Sequence, residues 1–215
     1  MNDHRDPIWL LGAGGHARVL IDAIRAEGRY VLVGALDDDT SRHDDHIDGV
    51  PIRDAISAAA LRRQRVERAI IAIGNNEVRA AIARRLDGLV EWGHVVHPQA
   101  HVAAKVIFHE GTVILAGAVV QTGTRVGRHV IINTSASVDH DNSVDDFAHV
   151  APGAHLGGHV CIGEGSLVGI GSTVVNGRSV GRWCTLGAGA VAVADIPDEV
   201  IAVGVPARWA VALIS

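Results

Sequence analysis

The sequence predicts a two-part chain: an α/β domain of the doubly wound type, then a parallel β-helix built from hexapeptide repeats. Three observations carry this. From Val96 to Leu186 every sixth residue is Val, Leu, Ile or Phe, sixteen times in succession without an insertion. Four places after each of these stops the residue is mostly small or β-branched, as at Ala100, Thr112, Ala118, Thr124, Ala148, Ala154, Ser166, Ser172 and Ala190. Ahead of the repeat, the apolar run Ile8–Leu11 leads into Gly12-Ala13-Gly14-Gly15-His16-Ala17 and then into helical spacing. Strand, Gly-rich turn and helix in that order open a doubly wound α/β unit.

A period of six belongs to neither a helix nor an alternating strand. In a hexapeptide β-helix each hexad supplies one short strand and a turn, and three hexads close one triangular coil. The aliphatic at each stop points inward and stacks on its counterpart one coil away. Gly follows the stop at 127, 157, 163, 169, 181 and 187, and is expected to provide the left-handed backbone of the corners. With coils about 4.8 Å apart, the prism is on the order of 25 Å tall. Such a run is not a product of chance in a chain that is 48% hydrophobic.

Before the repeat, Ile8–Leu11 reads as a buried strand, and a helix from Ala17 through Ile24 stops near Gly28. Tyr30–Leu36 is a second strand, closing on Asp37-Asp38-Asp39. Asp39–Val50 is polar and acidic and reads as a loop. Ala55–Val66 has helical spacing. Ala69–Ile73 is a further buried strand ending at Gly74-Asn75-Asn76, where an Asn caps a helix over Glu77–Leu86. His97-Pro98 leads into the prism. The domains are set at 1–94, 95–192 and a C-terminal loop and tail, 193–215. The pattern fades after Leu186: Ala194–Asp198 is a turn, and Trp209–Ile214 is a short apolar tail.

Composition excludes several classes. A formal net charge of −5 with no long basic run argues against nucleic acid as a partner. Met1–Pro7 is polar with no signal-peptide core, and no apolar stretch reaches spanning length, so a cytoplasmic protein with no membrane partner is expected. Cys161 and Cys184 form no CxxC pair. Aromatics are only 3% of the chain, in keeping with a narrow prism filled by small and aliphatic side chains.

The Gly-rich turn fits the dinucleotide fingerprint loosely, with Ala17 in the third position. That match is weak for NAD. His16 also places a polar ring that a plain dinucleotide loop does not need. The turn therefore reads as a nucleotide-phosphate site, because a helix N-terminus aims N–H groups at anions. The competing reading is a tight strand–helix turn with no ligand. An acid closing the second strand can accept from a ribose or base.

An N-terminal α/β domain opening Gly-x-Gly-Gly-His, then Asp37-Asp38, then Ile73-Gly74-Asn75-Asn76-Glu77, then a β-helix ending Gly204-Val205-Pro206-Ala207, resembles the PglD/NeuD-type bacterial sugar acetyltransferases along essentially its whole length. Asn133-Thr134-Ser135, Asp139-His140-Asp141 and Phe147-Ala148-His149-Val150 are the specific part; Asp141 stands where such proteins typically carry Glu. The resemblance implies a Rossmann-like domain, a left-handed parallel β-helix, and acetyl-CoA as co-substrate with no metal. The implied reaction is N-acetylation of a nucleotide-linked (UDP or GDP) 4-amino-4,6-dideoxysugar by a homotrimer. It implies His140 as general base and Asp141 as its orienting partner. His149, Gly158, Ile170 and Pro206 would serve acetyl-CoA, with the Gly158 N–H on the thioester oxygen. Gly14, Gly15, His16, Asp37, Asp38, Gly74 and Asn75 would serve the nucleotide sugar. Three other readings stay open: sialic-acid-type O-acetylation, a zinc enzyme like the γ-class carbonic anhydrases using His140, His149, His155 and His159, and a non-enzymatic nucleotide-sensing scaffold.

Overall fold

The structure is a computed structural model and describes residues 5–210. The chain divides into two compact units between His97 and Pro98. Among the described residues no helix is long and apolar enough to cross a membrane.

The first unit is one twisted sheet with three helices. In chain order it comprises β1 (Asp6–Leu11), α1 (Gly15–Glu27), β2 (Tyr30–Leu36), β3 (His46–Ile47), β4 (Val50–Asp54), α2 (Ala58–Gln64), β5 (Arg68–Ile71), α3 (Asn76–Arg85) and β6 (Glu91–Trp92). The sheet order is β3-β4-β2-β1-β5-β6, parallel except for the β3–β4 hairpin. The chain builds outward from β1 through β2 to β4, then returns to the other side of β1 with β5. That reversal opens a crevice at the carboxyl ends of β1 and β5. The near-continuous apolar runs of β1, β2 and β5 reflect a sheet covered on both faces.

Three local expectations change. The helix α1 starts at Gly15, so Gly15 and His16 form its first turn and Gly14 is its N-cap. Gly28, left-handed at φ 72°, donates its N–H to the Ile24 carbonyl and ends the helix as expected. The stretch read as a loop after Asp39 holds a 3₁₀ turn at Thr40–Arg42 and the β3–β4 hairpin. Asp48 and Gly49 turn that hairpin with φ 46° and 81°, the left-handed pair a two-residue hairpin needs. The second helix is shorter than expected because β4 runs on to Asp54 and Ser57 caps α2.

The second unit is a left-handed parallel β-helix. Its two-residue strands pair at a spacing of eighteen: Val113↔Ile131, Ile131↔His149, His149↔Leu167 and Leu167↔Thr185 on one sheet. A second sheet runs through Ser137–Val138 and His155–Leu156, and a third through Ser143–Val144 and Cys161–Ile162. Every stop from Ile114 to Leu186 is buried. The corners correct one expectation. From Phe108 to Leu186 the left-handed residue is the third after each stop, and it is often not glycine, as at His129, Ser135, Asp141, Phe147, His159 and Trp183. Glycines directly after a stop serve close approach between coils: a Cβ on Gly169 would lie 2.4 Å from the Leu186 carbonyl oxygen.

The repeat also outlasts Leu186. Val191–Ala192 stacks on Thr173–Val174. Ile201–Val203 stacks on Thr185–Leu186 and is closed by the antiparallel strand Arg208–Ala210. The expected loop and tail thus includes a last strand pair, and the remainder of the expected apolar tail lies outside the described residues. Inside the prism, buried polar side chains link successive coils. Thr112 Oγ1 donates to the Gly127 carbonyl and Thr124 Oγ1 to that of Asp139. Asn142 donates to the Asp139 carbonyl and accepts the Val160 N–H.

Candidate active site

The corner after Ser137–Val138 carries the most reactive arrangement in the second unit. Asp139 Oδ1 accepts the His140 N–H at 2.8 Å, and Asn142 is buried below. Asp141, left-handed at φ 58°, turns its carboxylate back onto its neighbour, with Oδ2 2.9 Å from His140 Nδ1. That hydrogen bond raises the pKa of His140 above its ordinary value, opposed by desolvation and helped by the charges of Asp139 and Asp141. Both side chains stay half exposed, at 45% and 50%.

Gly158 sits one coil on at the same corner. A Cβ there would lie 2.6 Å from both Nε2 and Cε1 of His140. The Nε2 edge of the ring therefore rests against the Gly158 backbone, and only glycine admits it. His140, Asp141 and Gly158 are thus brought together.

The remaining residues expected in this unit are placed separately. His149 lies on the strand His149–Val150 and not at a corner. Its Nε2 lies 3.0 Å from Asn133 Nδ2. Ile170 projects from a corner with 62% exposure, against the apolar norm of the coils. Pro206 is exposed in the turn before Arg208–Ala210. Of the four histidines of the zinc-enzyme reading, His140 and His159 approach each other, 5.1 Å between ring centroids, whereas His149 meets Asn133 and His155 Nδ1 lies 2.7 Å from Ser137 Oγ.

In the first unit, the Gly-rich turn is held from two sides. Gly12, at φ 106°, has no room for a Cβ beside Ile73. Asp37 Oδ2 accepts the Ala13 N–H at 2.5 Å and Oδ1 accepts the Asp39 N–H at 2.9 Å. Arg42 donates to the Ala13 carbonyl at 2.5 Å. Asp37 is therefore a brace tying the end of β2 to the turn. Asp38 is the more available acid, 61% exposed, with Oδ1 taking the Ile56 N–H. Gly14 and Gly15 are exposed, with nothing within 4 Å of where a Cβ would be. No side chain caps α1 and no acid lies in its first turn, so its first N–H groups can meet an anion.

His16 lies in that first turn with Nε2 buried and, among the described residues, without a hydrogen-bond partner. Burial first, and the charge of Arg79 second, push its pKa down to about 4. The ring is neutral near pH 7 and can donate or accept toward a ligand. Across the crevice, Asn75 Oδ1 caps α3 through the Val78 N–H at 2.9 Å.

Sequence reasoning missed Arg79. It is 1% exposed. It donates to the carbonyls of Ile73 and Gly74, each at 3.1 Å, and to Asn76 Oδ1 at 2.8 Å. It thereby fixes the turn carrying Gly74 and Asn75. Burial lowers its pKa to about 9, still above neutrality, so it remains a buried cation. A signal existed: Arg79 precedes Ile82 and Ala83 by three and four places, in the buried stripe of α3. Arg79→Met should destabilise the first unit by on the order of 3 kcal/mol, because several acceptors lose their donor at once. Denaturant unfolding measures this.

Residues 7–86 match the family model described as the PglD N-terminal domain. Over 114 residues the chain is 38% identical to the UDP-N-acetylbacillosamine N-acetyltransferase of Bacillus subtilis (strain 168), and the match spans about half of each, 51%. Over 96% of this chain and 100% of the other, it is similar to the acetyltransferase domain of PglB from Neisseria gonorrhoeae FA1090 in complex with acetyl coenzyme A, at 37% identity and a TM-score of 0.88. A histidine-to-alanine variant of GDP-perosamine N-acetyltransferase from Caulobacter crescentus, in complex with CoA and GDP-perosamine, is 34% identical. That match covers 95% of this chain and 97% of the other, with a TM-score of 0.89.

Proposed function

The chain belongs to the PglD-type sugar acetyltransferases, and we propose that it moves the acetyl group of acetyl-CoA to the 4-amino group of a nucleotide-linked 4-amino-4,6-dideoxysugar. The observation that carries this reading is the His140–Asp141 pair with its Nε2 edge against Gly158. With Nδ1–H donating to Asp141, Nε2 keeps its lone pair. The amine attacks the thioester carbonyl, whose oxygen takes up the electron pair and meets the Gly158 N–H. His140 Nε2 removes the extra proton from the attacking nitrogen. Collapse of the adduct expels the coenzyme's thiolate, and the imidazolium returns the proton to sulfur. No acyl-enzyme is needed. A donor aimed at the oxyanion is worth about 3–4 kcal/mol in related chemistry.

The relatives support the choice of ligands, since one was solved with acetyl coenzyme A and another with CoA and GDP-perosamine. His149, Ile170 and Pro206 are assigned to the coenzyme. Exposure of an isoleucine at a corner suits the apolar part of its arm. Gly14, Gly15, His16, Asp37, Asp38, Gly74 and Asn75 are assigned to the nucleotide sugar, with Asp38 the direct contact and Asp37 the brace. The active form is a homotrimer, the coenzyme lying between neighbouring prisms. Sedimentation should show three chains, and a stable, active monomer would contradict the assembly. Titrating UDP-linked and GDP-linked 4-amino sugars into the protein with acetyl-CoA present tests the acceptor: one series should bind saturably, and binding of neither removes that half of the reading.

The pH dependence follows from the pair. His140 must be neutral to act as base, and Asp141 raises its pKa. The acid limb of kcat/KM should therefore bend above about 6.5, the ordinary histidine value. Asp141→Asn removes the charge-assisted hydrogen bond, so the bend should move to lower pH. An unmoved bend would assign it to the amine of the acceptor.

A further inference from the structure

We propose that His140, Asp141 and His159 form a transition-metal site, and that zinc bound there stops acetyl transfer. The second half rests on His140 being the base. Each of the three residues offers a ligand atom, and these atoms all lie within 4.8 Å of one another. His140 Nδ1 is 2.9 Å from Asp141 Oδ2, and His159 Nε2 is 3.8 Å from the same oxygen. Tetrahedral zinc with bonds near 2.0–2.1 Å spaces its ligand atoms about 3.3 Å apart. The two observed separations bracket that value, so small side-chain rotations suffice.

The β-helix itself creates the cluster. Asp141 and His159 are the left-handed residues of the same corner in successive coils. The His159 N–H donates to the His140 carbonyl at 3.0 Å, which fixes the two turns against each other. The two rings stand edge to face, 5.1 Å between centroids. At the same register the coils on either side carry Gly123 and Gly177, so no further side chain crowds the site. His159 is 67% exposed, and solvent can enter to supply a fourth ligand. Two imidazoles and one carboxylate suit a borderline-soft cation and not magnesium or calcium.

Inhibition follows from the tautomer. As a base, His140 holds its one proton on Nδ1, facing Asp141, and keeps the Nε2 lone pair free. A metal on Nδ1 displaces the proton held there, binds through the Nδ1 lone pair and breaks the hydrogen bond to Asp141. The ring's proton must then sit on Nε2, the atom that would receive the proton of the amine. No proton is lost and no bond to carbon changes, yet the base is blocked.

The test uses the whole chain and Zn²⁺ alone, without coenzyme, because a free thiol also binds zinc. Wild type and His159→Asn are titrated with zinc against a chromophoric chelator. Asn tolerates the left-handed backbone of position 159, and His159→Gln repeats the test should the coil be disturbed. One equivalent should bind to wild type, with affinity at least about tenfold weaker in the variant. In parallel, each protein's turnover in zinc-buffered medium is divided by its turnover in chelator. This ratio should fall at least about tenfold for wild type and stay within about twofold of unity for His159→Asn. Equal zinc affinity in both proteins overturns the site. Zinc binding that depends on His159 upholds it even in a preparation without turnover, whereas full turnover with no zinc bound overturns it and leaves acetyl transfer standing.

Discussion

His140→Ala lowers turnover by about 10²–10⁴-fold, the usual worth of a placed general base, while acetyl-CoA binding stays near the wild-type value. A sugar amine that has attacked a thioester carries one proton too many, and imidazole is the side chain that can take it near neutral pH. His140 is held by Asp141 on one nitrogen and presents the other beside the Gly158 backbone. Removing the ring takes away the acceptor and leaves the corner intact, since the coil is held by main-chain pairing and by Asn142. Coenzyme affinity should therefore survive. Retention of more than about a third of wild-type turnover at pH 7 would move the base elsewhere, to His149 first.

Asp37→Ala raises the acceptor's KM by about 10- to 100-fold and leaves that of acetyl-CoA unchanged. Its carboxylate holds two main-chain N–H groups, those of Ala13 and Asp39. A hydrogen bond to a charged group is worth about 1.5–3 kcal/mol, and every 1.4 kcal/mol is tenfold in affinity, so a rise of about 10- to 100-fold corresponds to one such bond's worth of organisation lost from the bound turn. Without them the turn leading to Gly14, Gly15 and His16 loses its tie to β2. Asp38→Ala should act more mildly and only through the acceptor. Equal losses toward both substrates would mean that the first unit does not carry the nucleotide site.

The fold was legible where a period was. Sixteen stops in register announced the coils, and strand, Gly-rich turn and helix announced the first unit. What escaped was set by geometry with no period. Asp48-Gly49 between Ile47 and Val50 was a hairpin signal, but the flanking strands are too short to show alternation. The last coil was hidden because its stop is Ala192 and its next strand, Ile201–Val203, comes after a longer connection. Of the site, His140 and Asp141 were named through the resemblance, on the motif Asp139-His140-Asp141. Gly158 entered by the same resemblance, and it stands eighteen residues, one coil, after His140. The brace formed by Asp37 and the buried cation Arg79 were not legible, since each depends on which main-chain groups a side chain meets. The approach of His159 to Asp141 likewise appears only when two coils are stacked.

The most direct measurement of the account supplies wild-type protein with acetyl-CoA and a nucleotide-linked 4-amino-4,6-dideoxysugar, and in parallel with the same nucleotide sugar bearing a 4-hydroxyl, and follows thiol release with mass analysis of the acceptor. Stoichiometric thiol release and one added acetyl group on the amine are expected, with little or no reaction at the hydroxyl. Faster transfer to the hydroxyl, or no transfer to any UDP- or GDP-linked amine, would contradict it.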